Sequence, residues 1–205
     1  MAFGTYKNIQ EAAKKHQITI LIEPFIQPLP ITVDERFQQE LTYVLQHVDV
    51  KMSEAAISEF LIAPILKEIW KRYDDSLLIW SHVALNVGEE FEGYPDYLFT
   101  KRSSLGMVRE KPYVLVVEAK KDDFEGGWGQ CLAGMIAAQV INDDEQLILQ
   151  GSVSNGDIWQ FGKLQAKQFV RDPRSFTVSD LADLFAALND IFARAKQQTQ
   201  LERSV

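Results

Sequence analysis

The 205 residues are 46% hydrophobic and 24% charged, a globular composition in a chain long enough for a sizeable buried core. No stretch approaches the roughly 18 uninterrupted apolar residues that span a bilayer, and one cysteine excludes both a disulfide framework and a thiolate zinc site. The net charge of −8 argues against a surface that binds nucleic acid everywhere, but the charge is uneven. From Thr100 to Lys121 six bases stand against two acids, a local +4, and the other 183 residues carry −12. Met1 to Gln17 lacks a signal-peptide hydrophobic region, so the expectation is a soluble cytoplasmic protein with no membrane partner.

In chain order, Tyr6 to Gln17 reads as a helix and Ile18 to Ile22 as a short strand-like run. Three prolines between Glu23 and Pro30 rule out a regular helix there and predict an extended connector. Asp34 is a candidate N-cap for a helix to His47, with Phe37, Leu41, Val44, Leu45 and Val48 at helical spacing. A second helix is predicted over Ser53 to Tyr73, kinked or restarted at Pro64. Strands are predicted over Leu77 to Val87, Asp96 to Thr100 and Tyr113 to Ala119. The last is apolar on both faces, as a central strand covered on both sides must be. A helix over Gly127 to Ile141 follows, then strands near Gln146 to Val153 and Ile158 to Leu164, with Asn155-Gly156 as a hairpin signal between them. A closing amphipathic helix covers Val178 to Lys196. This order implies a single α/β domain, a mixed sheet sandwiched between helices.

The segment Val114-Leu115-Val116-Val117-Glu118-Ala119-Lys120 carries the chemistry. Side chains alternate along a strand, so Glu118 and Lys120 share a face at the end of an apolar run. The bland explanation is a strand that ends where both charges reach water. Asp96 adds a second carboxylate, beside Glu118 if the two strands pair. Carboxylates that close raise each other's pKa unless a cation sits between them, and a hard divalent ion such as Mg²⁺ suits oxygen ligands. A lysine beside such an ion stabilises charge developing on a phosphoryl group, so the set fits metal-assisted phosphodiester hydrolysis.

Pro95-Asp96 followed by Glu118-Ala119-Lys120 resembles the PD-(D/E)xK nuclease superfamily. The match extends to Glu59, on the helix before the sheet, and to Gln130, which opens a half-complete Gln motif in which Gly134 stands where an aromatic is usual. The stretch Gly151 to Phe161 is similar to the Asn-Gly hairpin in the N-terminal nuclease domain of type I restriction R subunits. The resemblance covers residues 53–165, with 1–50 as an N-terminal helical extension and 178–196 as a closing helix. It implies a three-layer α/β/α restriction-endonuclease-like core and a Mg²⁺ site in which Mn²⁺ substitutes. The implied metal ligands are Asp96, Glu118 and the Ala119 carbonyl, with Glu59 acting through water. Lys120 would handle the nucleophile and Gln130 orient it. It also implies DNA as partner and a homodimer or larger complex.

Lys101, Arg102, Arg109 and Lys111, in the loop joining the two site-bearing strands, together with Lys121, are the candidate phosphate contacts, or else a solvated hairpin tip. Lys163, Lys167, Arg171 and Arg174 form a second basic stretch, a candidate extension of the first. Gly126-Gly127-Trp128-Gly129 fails the dinucleotide fingerprint, since Leu132 stands where the third glycine belongs. The three histidines are far apart with none paired at i, i+4, and His82 reads as structural, while Trp128 is core or a base-stacking residue. The competing function is a non-catalytic nucleic-acid-binding or protein-interaction module that retains the fold.

Overall fold

The computed structural model describes residues 5–87 and 92–201. They form α1 (Ile9–His16), β1 (Thr19–Ile22), α2 (Glu35–His47), α3 (Glu54–Ile57), α4 (Ala63–Trp70), β2 (Leu77–Ser81), β3 (Tyr97–Ser103), β4 (Gly106–Ala119), α5 (Phe124–Asn142), β5 (Leu149–Ser154), β6 (Ile158–Gln165), β7 (Gln168–Arg171), β8 (Phe176–Thr177) and α6 (Leu181–Gln200). Eight strands among these residues make one open sheet in the order β1-β7-β6-β5-β4-β3-β2, with β8 paired to β6. The sheet is mixed: β4 and β5 run parallel, joined through α5, and β1 runs parallel to β7, while β3 is antiparallel to β4 and β6 to β5. No described helix is long and apolar enough to cross a membrane.

Helices cover both faces of this α/β sheet. On one side Val116, Leu98 and Val153 pack with α1 and α5. On the other Leu115, Val117 and Phe99 pack with α2, α4 and α6. The two-sided apolar run of β4 follows from this double cover. Helix α5 is buried nearly all round because α1 lies over it. A Cβ on Gly129 would come within 2.8 Å of the Asn8 carbonyl, so the glycine sets the approach of the two helices. Tyr6, Ile9, Ala12 and Ile18 belong to the same apolar cluster as α5, so residues 6–18 contribute to this core. Trp128 is fully buried there, its indole N–H donating to Gln160 Oε1 at 2.8 Å, which removes it as a base-stacking residue.

The proline-bearing connector forms no helix or strand and is held at both ends, the Glu23 amide donating to the Arg171 carbonyl at 3.0 Å and the Leu29 amide to the Ala186 carbonyl at 2.9 Å, and in its middle by two acids. The buried Asp172 Oδ2 accepts from the Phe25 and Ile26 amides at 2.8 and 2.9 Å, and Asp190 Oδ2 accepts from Gln27 N at 3.0 Å. Each acid is held by an arginine, Arg174 at 2.7 Å and Arg194 at 2.9 Å. These arginines also donate to the Ile26 and Phe25 carbonyls.

Several boundaries differ from the sequence reading. The helix from Ser53 is interrupted and restarts beside Pro64 as expected, but it ends at Trp70, and the interruption is a π turn over Ser58–Ile62, with the Ala63 N–H donating to the Ser58 carbonyl. Pro64 has no N–H for the Phe60 carbonyl and its ring would crowd that oxygen, so one wide turn absorbs the misfit. The strand expected to reach Val87 stops at Ser81, where His82 takes φ 50°. Strand β4 starts at Gly106, seven residues earlier than expected, and β7 and β8 were not foreseen. The β5–β6 connection spans Asn155 to Asp157, with Asn155 Oδ1 accepting from Ile158 N at 2.8 Å and Gly156 at φ 84°. A Cβ on Gly156 would meet Leu61 Cδ1 at 2.7 Å. With left-handed backbone and no room, Gly156→Ala should lower the unfolding free energy by about 2 kcal/mol, read from a denaturant midpoint.

Candidate functional site

The C-terminal end of β4 is where the sheet changes from antiparallel to parallel pairing, with β3 on one side and β5 on the other. Ligand sites in open α/β sheets favour such strand ends. Tyr97 pairs with Val117, which brings Asp96, one residue before β3, across from Glu118. Val116 faces α5, so by alternation Glu118 faces that side too, and Leu98 places Asp96 on it as well.

Glu118 is only 4% exposed, and its carboxyl lies close enough to that of Asp96 for the two to act on each other. Burial pushes the Glu118 carboxyl well above its ordinary value, and the Asp96 charge pushes it further. Lys120 opposes the shift, while the Asp96 hydrogen bond and the Glu54 charge add to it. Asp96 is fixed on both oxygens: Oδ2 accepts from the Ala119 N–H at 2.7 Å, and Oδ1 lies 3.2 Å from His82 Nε2. The Asp96 side chain thus closes the last rung of the β3–β4 ladder. The N–H and C=O of one extended residue face the same neighbour, so the Ala119 carbonyl also faces the Asp96 side.

Lys120 continues the pairing with β5, its amide donating to the Ser154 carbonyl at 2.9 Å. Its side chain is 15% exposed and reaches Glu54 Oε1 at 3.4 Å, while Glu54 Oε2 accepts from the Lys121 amide at 3.3 Å. Glu54 opens α3, where Ser53 Oγ caps the Ala56 amide at 3.0 Å. Gly127 lets α5 close on the lysine stem, since a Cβ there would sit 2.8 Å from Lys120 Cγ. Gln130 lies one turn further along that helix face, half-buried.

The site is therefore assembled from Asp96, Glu118, Lys120, Glu54 and His82, with Gln130 one helical turn away. Glu59 is exposed to solvent, and the acid of this helix that meets Lys120 is Glu54. The π turn takes Glu59 out of register with Ile62, Leu66 and Ile69, and the residue facing inward is Ser58, bonded to the Tyr97 hydroxyl at 2.7 Å. The sequence signal for Glu54 is an acid directly after a serine N-cap; His82 had none, because its aim depends on a positive φ.

Of the five candidate phosphate contacts, Lys121 alone adjoins the site. Lys101, Arg102, Arg109 and Lys111 lie toward the opposite end of the β3–β4 ribbon, roughly 15–30 Å away along the strands. Three have protein partners: Lys101 reaches Glu110 at 3.8 Å, Arg102 the Asp74 carbonyl at 2.7 Å, and Arg109 the Ala84 carbonyl at 2.6 Å. The second basic stretch is engaged too. Lys163 lies over the Phe25 ring, Lys167 meets Glu145, Arg171 meets Glu125, and Arg174 meets Asp172.

Among the described residues no group of three or more His, Cys, Asp or Glu side chains is gathered to hold a metal ion. Asp96 and Glu118 are a two-carboxylate set with a main-chain carbonyl beside it. That does not suit a cation needing an all-protein cage, but it suits a hard one that keeps most of its waters. The sequence matches no protein-family model and no curated protein.

Proposed function

We propose that this chain is a Mg²⁺-dependent nuclease that hydrolyses phosphodiester bonds of DNA, built on a restriction-endonuclease-like core. The observation that carries this reading is the buried Glu118 set opposite Asp96 on one face of the β3–β4 ladder, with Lys120 two residues on along the same face. A core does not keep two facing acids for stability, since each disfavours ionisation of the other. Asp96, Glu118 and the Ala119 carbonyl would hold the cation, which, when bound, supplies Lewis-acid activation of water and neutralises phosphoryl charge. Lys120 is the one ammonium of the assembled site, held by Glu54 with its stem against Gly127. From there it orients the attacking water and offsets charge on the phosphoryl oxygens. Gln130 fits a role in orienting that water, and Lys121 in contacting an adjacent phosphate.

The test is a cleavage assay at low salt with Mg²⁺ or Mn²⁺ on supercoiled plasmid, linear duplex, single-stranded DNA and RNA. Asp96→Asn and Lys120→Ala are run alongside. Wild-type cutting should require metal and fall by at least about 10³-fold in either variant, while both variants stay folded. Asparagine keeps an oxygen that accepts from the Ala119 amide, so its inactivity would report chemistry and not lost strand pairing. Equal behaviour of wild type and variants would assign the fold to a binding module.

A further inference from the structure

We propose that His82 is a positioning residue for Asp96, with its tautomer set by Ser81, an inference that rests on the reading of Asp96 as a metal ligand. The His82 ring is held at both nitrogens: Nδ1 lies 2.8 Å from Ser81 Oγ and Nε2 lies 3.2 Å from Asp96 Oδ1. A neutral imidazole has one N–H and one acceptor nitrogen, whereas an ionised carboxylate only accepts. Nε2 therefore carries the hydrogen and donates it to Asp96, and Nδ1 accepts from the Ser81 hydroxyl. The role needs no change of charge on the ring.

The backbone is arranged for the same contact. His82 sits at φ 50°, a left-handed conformation that few residues other than glycine adopt, directly after β2 ends. Its own amide donates to the Asp96 carbonyl at 3.0 Å. His82 thus grips Asp96 twice, once through main chain and once through the ring, while the Ala119 N–H holds the other carboxylate oxygen at 2.7 Å. A carboxylate fixed on both oxygens cannot swing away from Glu118. The His82 side chain is 58% exposed, so burial does not explain why the ring is placed there. Its edge contact with Tyr97, centroids 6.2 Å apart, steadies it from the side. Partners behind a metal-binding side chain commonly act this way, through orientation.

The experiment measures Mn²⁺ binding by electron paramagnetic resonance on wild type, Ser81→Ala, His82→Ala and His82→Gln, together with metal-free unfolding midpoints of His82→Ala, Asp96→Asn and the double variant. His82→Ala should weaken Mn²⁺ binding about 10- to 100-fold. His82→Gln, whose amide N–H can reach the place of Nε2–H, should recover most of that loss, and Ser81→Ala should fall between. The midpoint shifts of His82→Ala and Asp96→Asn should not add, because each breaks the same bond. If wild type binds no Mn²⁺ yet the midpoints are non-additive, the grip of His82 on Asp96 stands and the metal reading falls. A loss in His82→Ala that His82→Gln does not rescue overturns the inference. So do additive midpoints combined with unchanged or absent Mn²⁺ binding.

Discussion

Glu118→Gln should abolish metal-dependent cleavage and, at neutral pH without metal, make the protein more stable by about 1–3 kcal/mol. The two effects share one cause. The Glu118 carboxyl is buried against Asp96, and its folded value is raised well above the ordinary 4.5. A group with a raised folded pKa contributes its stability below the unfolded value and loses it as pH climbs through the folded one. Wild type should therefore weaken as pH rises from acid toward neutral, and the glutamine variant, with nothing to ionise, should not. Denaturant midpoints across pH 4–8 read this directly. Millimolar Mg²⁺ should then raise the wild-type midpoint at neutral pH and leave the variant unmoved. A variant less stable than wild type at pH 8 would show that Glu118 serves the fold.

Asp172→Ala should cost about 3–5 kcal/mol, the largest loss of stability we expect from one substitution. The carboxylate is fully buried, and removing it leaves the amides of Phe25 and Ile26 without their acceptor and Arg174 without its partner. Burial by itself would raise the Asp172 pKa. The hydrogen bonds from Arg174 and from the Ile26, Phe25 and Arg174 amides outweigh it and hold the carboxyl far below the usual 3.8. This stabilisation is complete above the unfolded value and fades as pH falls below about 4, opposite in sign to Glu118. Unfolding midpoints of wild type and variant should differ widely at pH 7 and draw together in acid. A constant difference would mean that packing, not the charge, is what was lost.

The part of the site on adjacent strands was legible in the sequence. An apolar two-sided run announces a central strand, and charges at its end become conspicuous once a Pro-Asp opens the neighbouring strand. What escaped depends on local backbone that composition does not encode. The choice of Glu54 over Glu59 was hidden by the π turn before Pro64, which changes the register of Glu59 relative to the apolar stripe that follows it. The cations from Lys101 to Lys111 were placed beside the site because their loop joins its two strands. Strand β4 instead begins at Gly106 and carries them to the far end. The connector held by Asp172 was legible only as extended chain, since its partners lie some 146 residues away.

The last rung of the β3–β4 ladder separates two histories that an acid in this position can have. Asp96 closes the Ala119 amide and therefore serves the strand whether or not anything is cut. A lineage that abandoned catalysis would still be under selection to keep an aspartate or asparagine there. Glu118 closes no strand rung of this kind and should weaken the apoprotein at neutral pH, so drift would remove it first. On the proposed function, glutamate at position 118 would mark a working site among relatives of this chain, and aspartate at position 96 would not.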